Sequence, residues 1–200
     1  MTAEIITSLV SAIIGGFIAG YFSLKATKQM ITHENEKSHD EEERIEHGLL
    51  QALHDEIDII WDRYSSMMAP KPESLPDSDP LLVYFPIHQD YFPVYRGNTS
   101  LVGRIRDNDM RRAIVGVYTK AAAMIDSFKM NNKLVAKYEY LHASFLSSKK
   151  EEDRQMLLVH LTALVAYANA LKTSHFELKK DVTGLLHYFN KVSVISEKNR

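Results

Sequence analysis

The chain has 200 residues, a formal net charge of −2 and no cysteine. That length holds one membrane span and one modest soluble domain with its own core. The charge argues against a surface built as a whole to bind nucleic acid, and the lack of cysteine excludes a disulfide framework, a thiol nucleophile and a cysteine zinc site.

Residues 5–24, IITSLVSAIIGGFIAGYFSL, carry neither charge nor proline. As a helix this stretch rises about 30 Å, the thickness of a bilayer's hydrocarbon core. Its small residues fall in two rows, Ser8, Ala12, Gly16, Gly20 and Ser11, Gly15, Ala19, Ser23. Residues four apart stack along a helix, so both rows share one broad face. Small faces let helix backbones approach closely in lipid, and Gly16 and Gly20 form a GxxxG. The stretch is therefore expected to be a transmembrane helix that packs against other spans. It lacks a basic leader and a small-x-small cleavage site, which argues against a cleaved signal. Lys25 and Lys28 follow it directly. The positive-inside rule then places the N-terminus outside and the rest in the cytoplasm.

Residues 25–68 are expected to form a juxtamembrane helix. Its first part is polar, with the acidic run Asp40, Glu41, Glu42, Glu43. From Leu50 a seam of Leu50, Leu53, Ile57, Ile60, Tyr64 and Met67 repeats in steps of three and four, the period of a helix packed on helices. Residues 45–68 are thereby assigned to a bundle. His47, His54 and Asp58 share a face with metal-ligand chemistry, but no second cluster completes a site, and neither metal nor cofactor is expected.

Residues 69–106 hold all six prolines. They read as a proline-rich loop followed by an extended segment lying over the bundle. Gly97-Asn98 marks a turn.

The rest, 107–200, is expected to be helical. One helix starts near Asp107 or Asn108, with Met110, Ile114, Val117, Ala121, Met124 and Phe128 inward, and ends at Asn131-Asn132. A shorter one follows, with Leu134, Tyr138, Leu141 and Phe145 inward, and closes at Ser147-Ser148. The last helix has a coiled-coil-like seam from Leu157 through Leu161, Leu164, Ala168, Leu171, His175, Leu178, Val182, Leu185 and Phe189 to Val192. His175 is its one polar member, read as a core histidine or as a pH-sensitive register device. Lys198 and Arg200 suit the helix end.

No phosphate loop, dinucleotide fingerprint, zinc helix or nucleophile elbow is present. Arg104, Arg106, Arg111 and Arg112 cluster at a helix start, in a basic stretch that complements the acidic 34–62. They are open to three uses: pairing within or between chains, contact with anionic lipid, or nucleic acid. The pairing is favoured and nucleic acid is not.

Two resemblances attach to particular residues. Arg154 and His160, in Arg154-Gln155-Met156-Leu157-Leu158-Val159-His160, resemble the R-x4-6-H motif of HEPN ribonucleases. That likeness implies a composite, metal-free RNA-cleaving pair at a dimer interface. The stretch FPVYRGNTSLVGRIRDNDMRRAIVGVY resembles a pattern in small bacterial membrane-anchored helical proteins, some of which accompany phage-defence operons. The overall plan is similar to the pore-forming accessory protein of type VI-B CRISPR systems and to span-bearing retron effectors. This implies an oligomeric, non-enzymatic membrane protein that forms or gates a depolarising pore, with a defence-system protein as a possible partner.

The expected fold is thus all-α, a single N-terminal transmembrane helix followed by a cytoplasmic helical bundle with a long C-terminal helix. The alternatives to the pore are a membrane-tethered scaffold and a HEPN-like ribonuclease.

Overall fold

The computed structural model describes residues 2–87 and 91–191, with side chains from residue 22 onward. Among the described residues the protein is all-helical and has no strand. Six helices follow in order: α1 (Thr2–Met67), α2 (Pro70–Glu73), α3 (Pro93–Gly97), α4 (Thr99–Val102), α5 (Asn108–Ser148) and α6 (Glu151–Lys191). The chain divides into two compact units, Met1–His47 and Gly48–Arg200.

The first unit is the N-terminal part of α1. Its described side chains are exposed apart from the half-buried Glu46, and they include Phe22, Leu24, Met30 and Ile31. The contacts within it are local, as between His39 and Glu43 at 3.5 Å and between Arg44 and Glu41 at 3.7 Å. Such exposed pairs contribute a few tenths of a kcal/mol each.

The second unit is a three-helix bundle made from the end of α1 with α5 and α6. Tyr118 of α5 meets Glu56, and Phe128 meets Tyr64, so α1 and α5 run parallel. Phe189 meets His54 and His175 meets Tyr64, so α6 runs antiparallel to α1. The α5–α6 hairpin is pinned by Tyr188 on Asp107 at 2.6 Å and by Lys120 on Asp181 at 2.6 Å.

The seams meet in one core of Leu50, Leu53, Ile57, Met110, Ile114, Val117, Met124, Phe128, Ala168, Leu171, Leu178, Val182, Leu185 and Phe189. Burying each large aliphatic or aromatic side chain stabilises by about 1.5–3 kcal/mol. Other seam positions lie at the margins: Ile60, Tyr64, Ala121, Leu134, Tyr138, Leu141, Phe145, Leu157 and Leu161 are half-buried, and Met67 is exposed. Val192, Lys198 and Arg200 fall outside the described residues.

α5 starts where its cap dictates. Asp107 is extended, and its carboxylate accepts from the N–H groups of Asp109 and Met110. Its carboxyl is thereby held below the usual range, first by the Tyr188 hydroxyl and then by these backbone donors. The helix ends at Lys149, whose φ of 54° turns the chain into α6. Glu151, Glu152 and Asp153 then suit the positive end of the α6 dipole.

Two expectations are corrected here. α5 does not end at Asn131-Asn132 but runs through it unbroken. Both side chains reach sideways to the proline-rich segment: Asn131 Nδ2 donates to the Val83 carbonyl at 2.9 Å. Asn132 accepts from the Phe85 N–H and donates to its carbonyl, each at 2.8 Å. The segment 69–106 is also more helical than expected, since it contains α2, α3 and α4. It is part of the core, with Leu81 and Phe85 buried and the Phe85 ring 4.1 Å from Phe128.

Candidate functional site

The polar groups of the bundle converge at two places. One is His175, fully buried on α6. Its Nδ1 lies 2.7 Å from the Tyr64 hydroxyl of α1, and its Nε2 lies 2.9 Å from Glu73 Oε1 of α2. Lys179 Nζ, one helical turn on, donates to the same carboxylate oxygen at 2.8 Å. Trp61 stacks beside the imidazole, with ring centroids 6.5 Å apart. With a proton on Nε2 the ring donates to Glu73 and accepts from the Tyr64 hydroxyl at Nδ1. Burial, helped by the charge of Glu73, pushes the Tyr64 phenol well up, so it stays protonated and donates. The donors from Lys179 and His175 hold Glu73 below its ordinary range. The result is a chain of hydrogen bonds that ties α1, α2 and α6 together. The sequence placed His175 on the seam, but its two partners come from elements 111 and 102 positions away.

The second place is Glu56, buried on α1. It accepts from the Tyr118 hydroxyl at 2.7 Å and from the backbone N–H groups of Val94 at 2.7 Å and Tyr95 at 3.1 Å. Asn98 Nδ2 in turn donates to the Val94 carbonyl at 2.8 Å. The residues that carry the FPVY-x-x-N resemblance therefore have a structural job: Glu56 satisfies the start of α3, and Asn98 its end. Glu56 was hidden within an acidic stretch. The signal that could have found it is its position between Leu53 and Ile57, on the inward side of the seam.

The four arginines of the basic cluster stand in two environments. Arg111 is half-buried, and donates to the Ile105 carbonyl at 3.0 Å and to Asn108 Oδ1 at 2.6 Å. Arg104, Arg106 and Arg112 are exposed. Among the described residues Arg111 pairs with its own turn.

Arg154 and His160 are not brought together. Arg154 is exposed and paired with Glu151 at 3.3 Å. His160 is buried, with Nε2 2.8 Å from the Leu134 carbonyl of α5. Six residues on a helix turn the two side chains about 120° apart.

Of the small-residue face, Ser23 is exposed on α1, while Ser8, Ser11, Ala12, Gly15, Gly16, Ala19 and Gly20 lie outside the described side chains. Among the described residues, α6 is the helix long and apolar enough to cross a membrane by length and composition, with mean hydropathy 1.3 in its most apolar stretch. That helix is C-terminal, where the sequence pointed to the N-terminus. Its seam is spent on the bundle, with Leu164, Leu171, His175, Leu178 and Phe189 all buried. No group of three or more His, Asp or Glu side chains able to hold a metal ion exists among the described residues. Comparison with protein-family models, curated proteins and solved structures finds no match.

Proposed function

We propose that the protein is a membrane-anchored oligomer whose N-terminal spans form or gate a pore that depolarises the bacterial inner membrane, as an effector or accessory of antiviral defence. The observation that carries this reading is the stretch 5–24: charge-free, long enough to span, and lined on one face by two rows of small residues. It belongs to the same continuous helix, α1, that enters the bundle at Leu49 and Leu50. In this reading the N-terminus is outside and the bundle cytoplasmic, where it gathers copies of the span and meets a defence-system partner. Small residues allow tight packing in the closed state. A shift of the helices exposes a polar path along Ser8, Ser11 and Ser23.

The test is Gly16→Leu with Gly20→Leu in the full chain, expressed in cells loaded with a potential-sensitive dye. Depolarisation is expected to disappear while the bundle stays folded. Depolarisation that persists in this variant sinks the pore.

The second reading, a tether that recruits a partner without a pore, is favoured by the exposed uncharged side of α6. It requires that an unrelated span substitute for residues 5–24 without loss of function.

A further inference from the structure

α6 has an outward face that does not look like a surface meant for water. Between Gln155 and Phe176 every exposed residue is uncharged, in a chain of which 25% is Asp, Glu, Lys or Arg. The one charge in this interval, Lys172, is half-buried and occupied with the Leu75 carbonyl and Asp77. Along the outward side run Val159, Ala163, Ala166, Ala170 and Thr173, in steps of four, three, four and three, the spacing of a helix–helix seam. This seam is separate from the one that faces the core. Val159 of this seam is 71% exposed, and large apolar side chains flank it with much of their area in solvent: Met156 at 51%, Leu158 at 44% and Phe176 at 46%. A monomeric soluble surface does not normally keep so long an apolar face.

The seam is also self-complementary. Set two copies of α6 antiparallel with Ala166 at the centre. Ala163 of one copy then faces Ala170 of the other, and Val159 faces Thr173. Leu158 and Phe176 lie on the same edge of the helix, so they meet reciprocally. Just beyond the apolar part, Glu152 comes level with Lys180 of the second copy, and the reverse. Both are exposed, and neither has an ion-pair partner among the described residues. A parallel pairing would set Glu152 against Glu152 and lose this match.

We infer that the outward face of α6 is the contact between two copies of this chain, packed antiparallel about Ala166. The alanines let the helix axes come within about 8 Å, and the charges at the ends fix the direction and register. The interface is isologous, so each contact occurs twice. The dimer goes beyond the pore reading and stands whether or not the spans open a path.

The chain has no cysteine, so cysteines introduced singly report the contact cleanly. Facing Cα atoms across so close a helix pair lie about 4–6 Å apart, within disulfide reach. The full chain carrying Ala166→Cys, in native membranes, is expected to give on copper-phenanthroline oxidation a covalent species of twice the 22.9 kDa chain mass. Ala123→Cys, on the exposed side of α5, is the control and should give little. Ala163→Cys and Ala170→Cys should cross-link when co-expressed and poorly when alone. Val159→Lys added to Ala166→Cys should abolish the product. Glu152→Lys or Lys180→Glu should each reduce it, and the two together should restore it.

An Ala166→Cys yield no higher than the control overturns the inference. So does self-linking of Ala163→Cys and of Ala170→Cys without mixed linking, which means parallel packing. An adduct of any other mass overturns it as well, since the face then belongs to another protein. Dye depolarisation in the same cells separates the two readings. Cross-linking without depolarisation leaves the dimer standing and removes the pore, and the converse removes the dimer alone.

Discussion

Glu56 on α1 and Tyr118 on α5, 62 positions apart, meet in the core through a 2.7 Å hydrogen bond. Both side chains are buried, and burial together with Glu56 pushes the Tyr118 phenol far up, so it remains a donor. The same carboxylate holds the first turn of α3. One side chain thus joins the incoming helix, the proline-rich segment and the hairpin.

Removing that donor should be costly. Tyr118→Phe leaves a buried carboxylate oxygen short of a partner and should destabilise by about 1–3 kcal/mol. Glu56→Ala should cost more, because two backbone N–H groups and a phenol then lose their acceptor. Urea unfolding of the full chain in detergent, followed by the fluorescence of Trp61, measures both. An unchanged midpoint for Tyr118→Phe would show that the bond contributes nothing.

The His175 chain gives a pH dependence. Glu73 is held below its ordinary value of 4.5 by the donors Lys179 and His175. A carboxyl with a depressed folded pKa contributes stability that is complete above the unfolded value and is lost as pH falls through the folded one. The expected loss therefore begins near pH 4.5 and continues below it. Glu73→Gln should be less stable at neutral pH and should show a shallower decline in acid. Parallel unfolding curves for the two proteins from neutral to acid pH would contradict this.

The ribonuclease alternative makes an opposing claim about His160. With its Nε2 on the Leu134 carbonyl, His160 joins α6 to α5. His160→Ala should lower stability by about 1–3 kcal/mol through the unsatisfied carbonyl and the space left behind. It should leave depolarisation intact in cells where the protein still folds. Purified protein that cleaves RNA and loses this activity in His160→Ala would instead establish the ribonuclease.

Asn132 should prove to be a clamp. Its two bonds to the Phe85 backbone secure the proline-rich segment on α5. Asn132→Ala should cost about 1–3 kcal/mol. It should also speed proteolytic cutting within 75–87 while leaving the α5–α6 hairpin resistant. Equal cutting rates in the two proteins would count against the clamp. Its neighbour Asn131 is fully buried, donates from Nδ2 to the Val83 carbonyl, and has no hydrogen-bond partner for Oδ1 among the described residues.

The sequence by itself determined the helical class, the start of α5 near Asp107, and the inward faces of the bundle part of α1, of α5 as far as Phe128 and of α6. These follow from local chemistry: a capping carboxylate, and apolar residues repeating every three or four positions. Leu53, Ile114, Leu164 and Phe189 fall where that period puts them, at most 0% exposed in each case. The same reasoning marked residues 5–24 as a stretch suited to lipid.

What only the tertiary structure decided lies where a neighbour distant in sequence overrides the local preference. Asn131 and Asn132 read as a helix end because asparagine competes with the helix backbone. In the fold their amides are engaged by Val83 and Phe85, and the helix continues. Arg154 and His160 read as a pair, yet the bundle turns one to water and seals the other against Leu134. Glu56 read as one more acid, until Tyr118 and the α3 backbone arrived to satisfy it. The outward side of α6 became visible for the same reason. Periodicity can mark two seams on one helix, but only packing shows which is filled by the chain's own core and which is left for another.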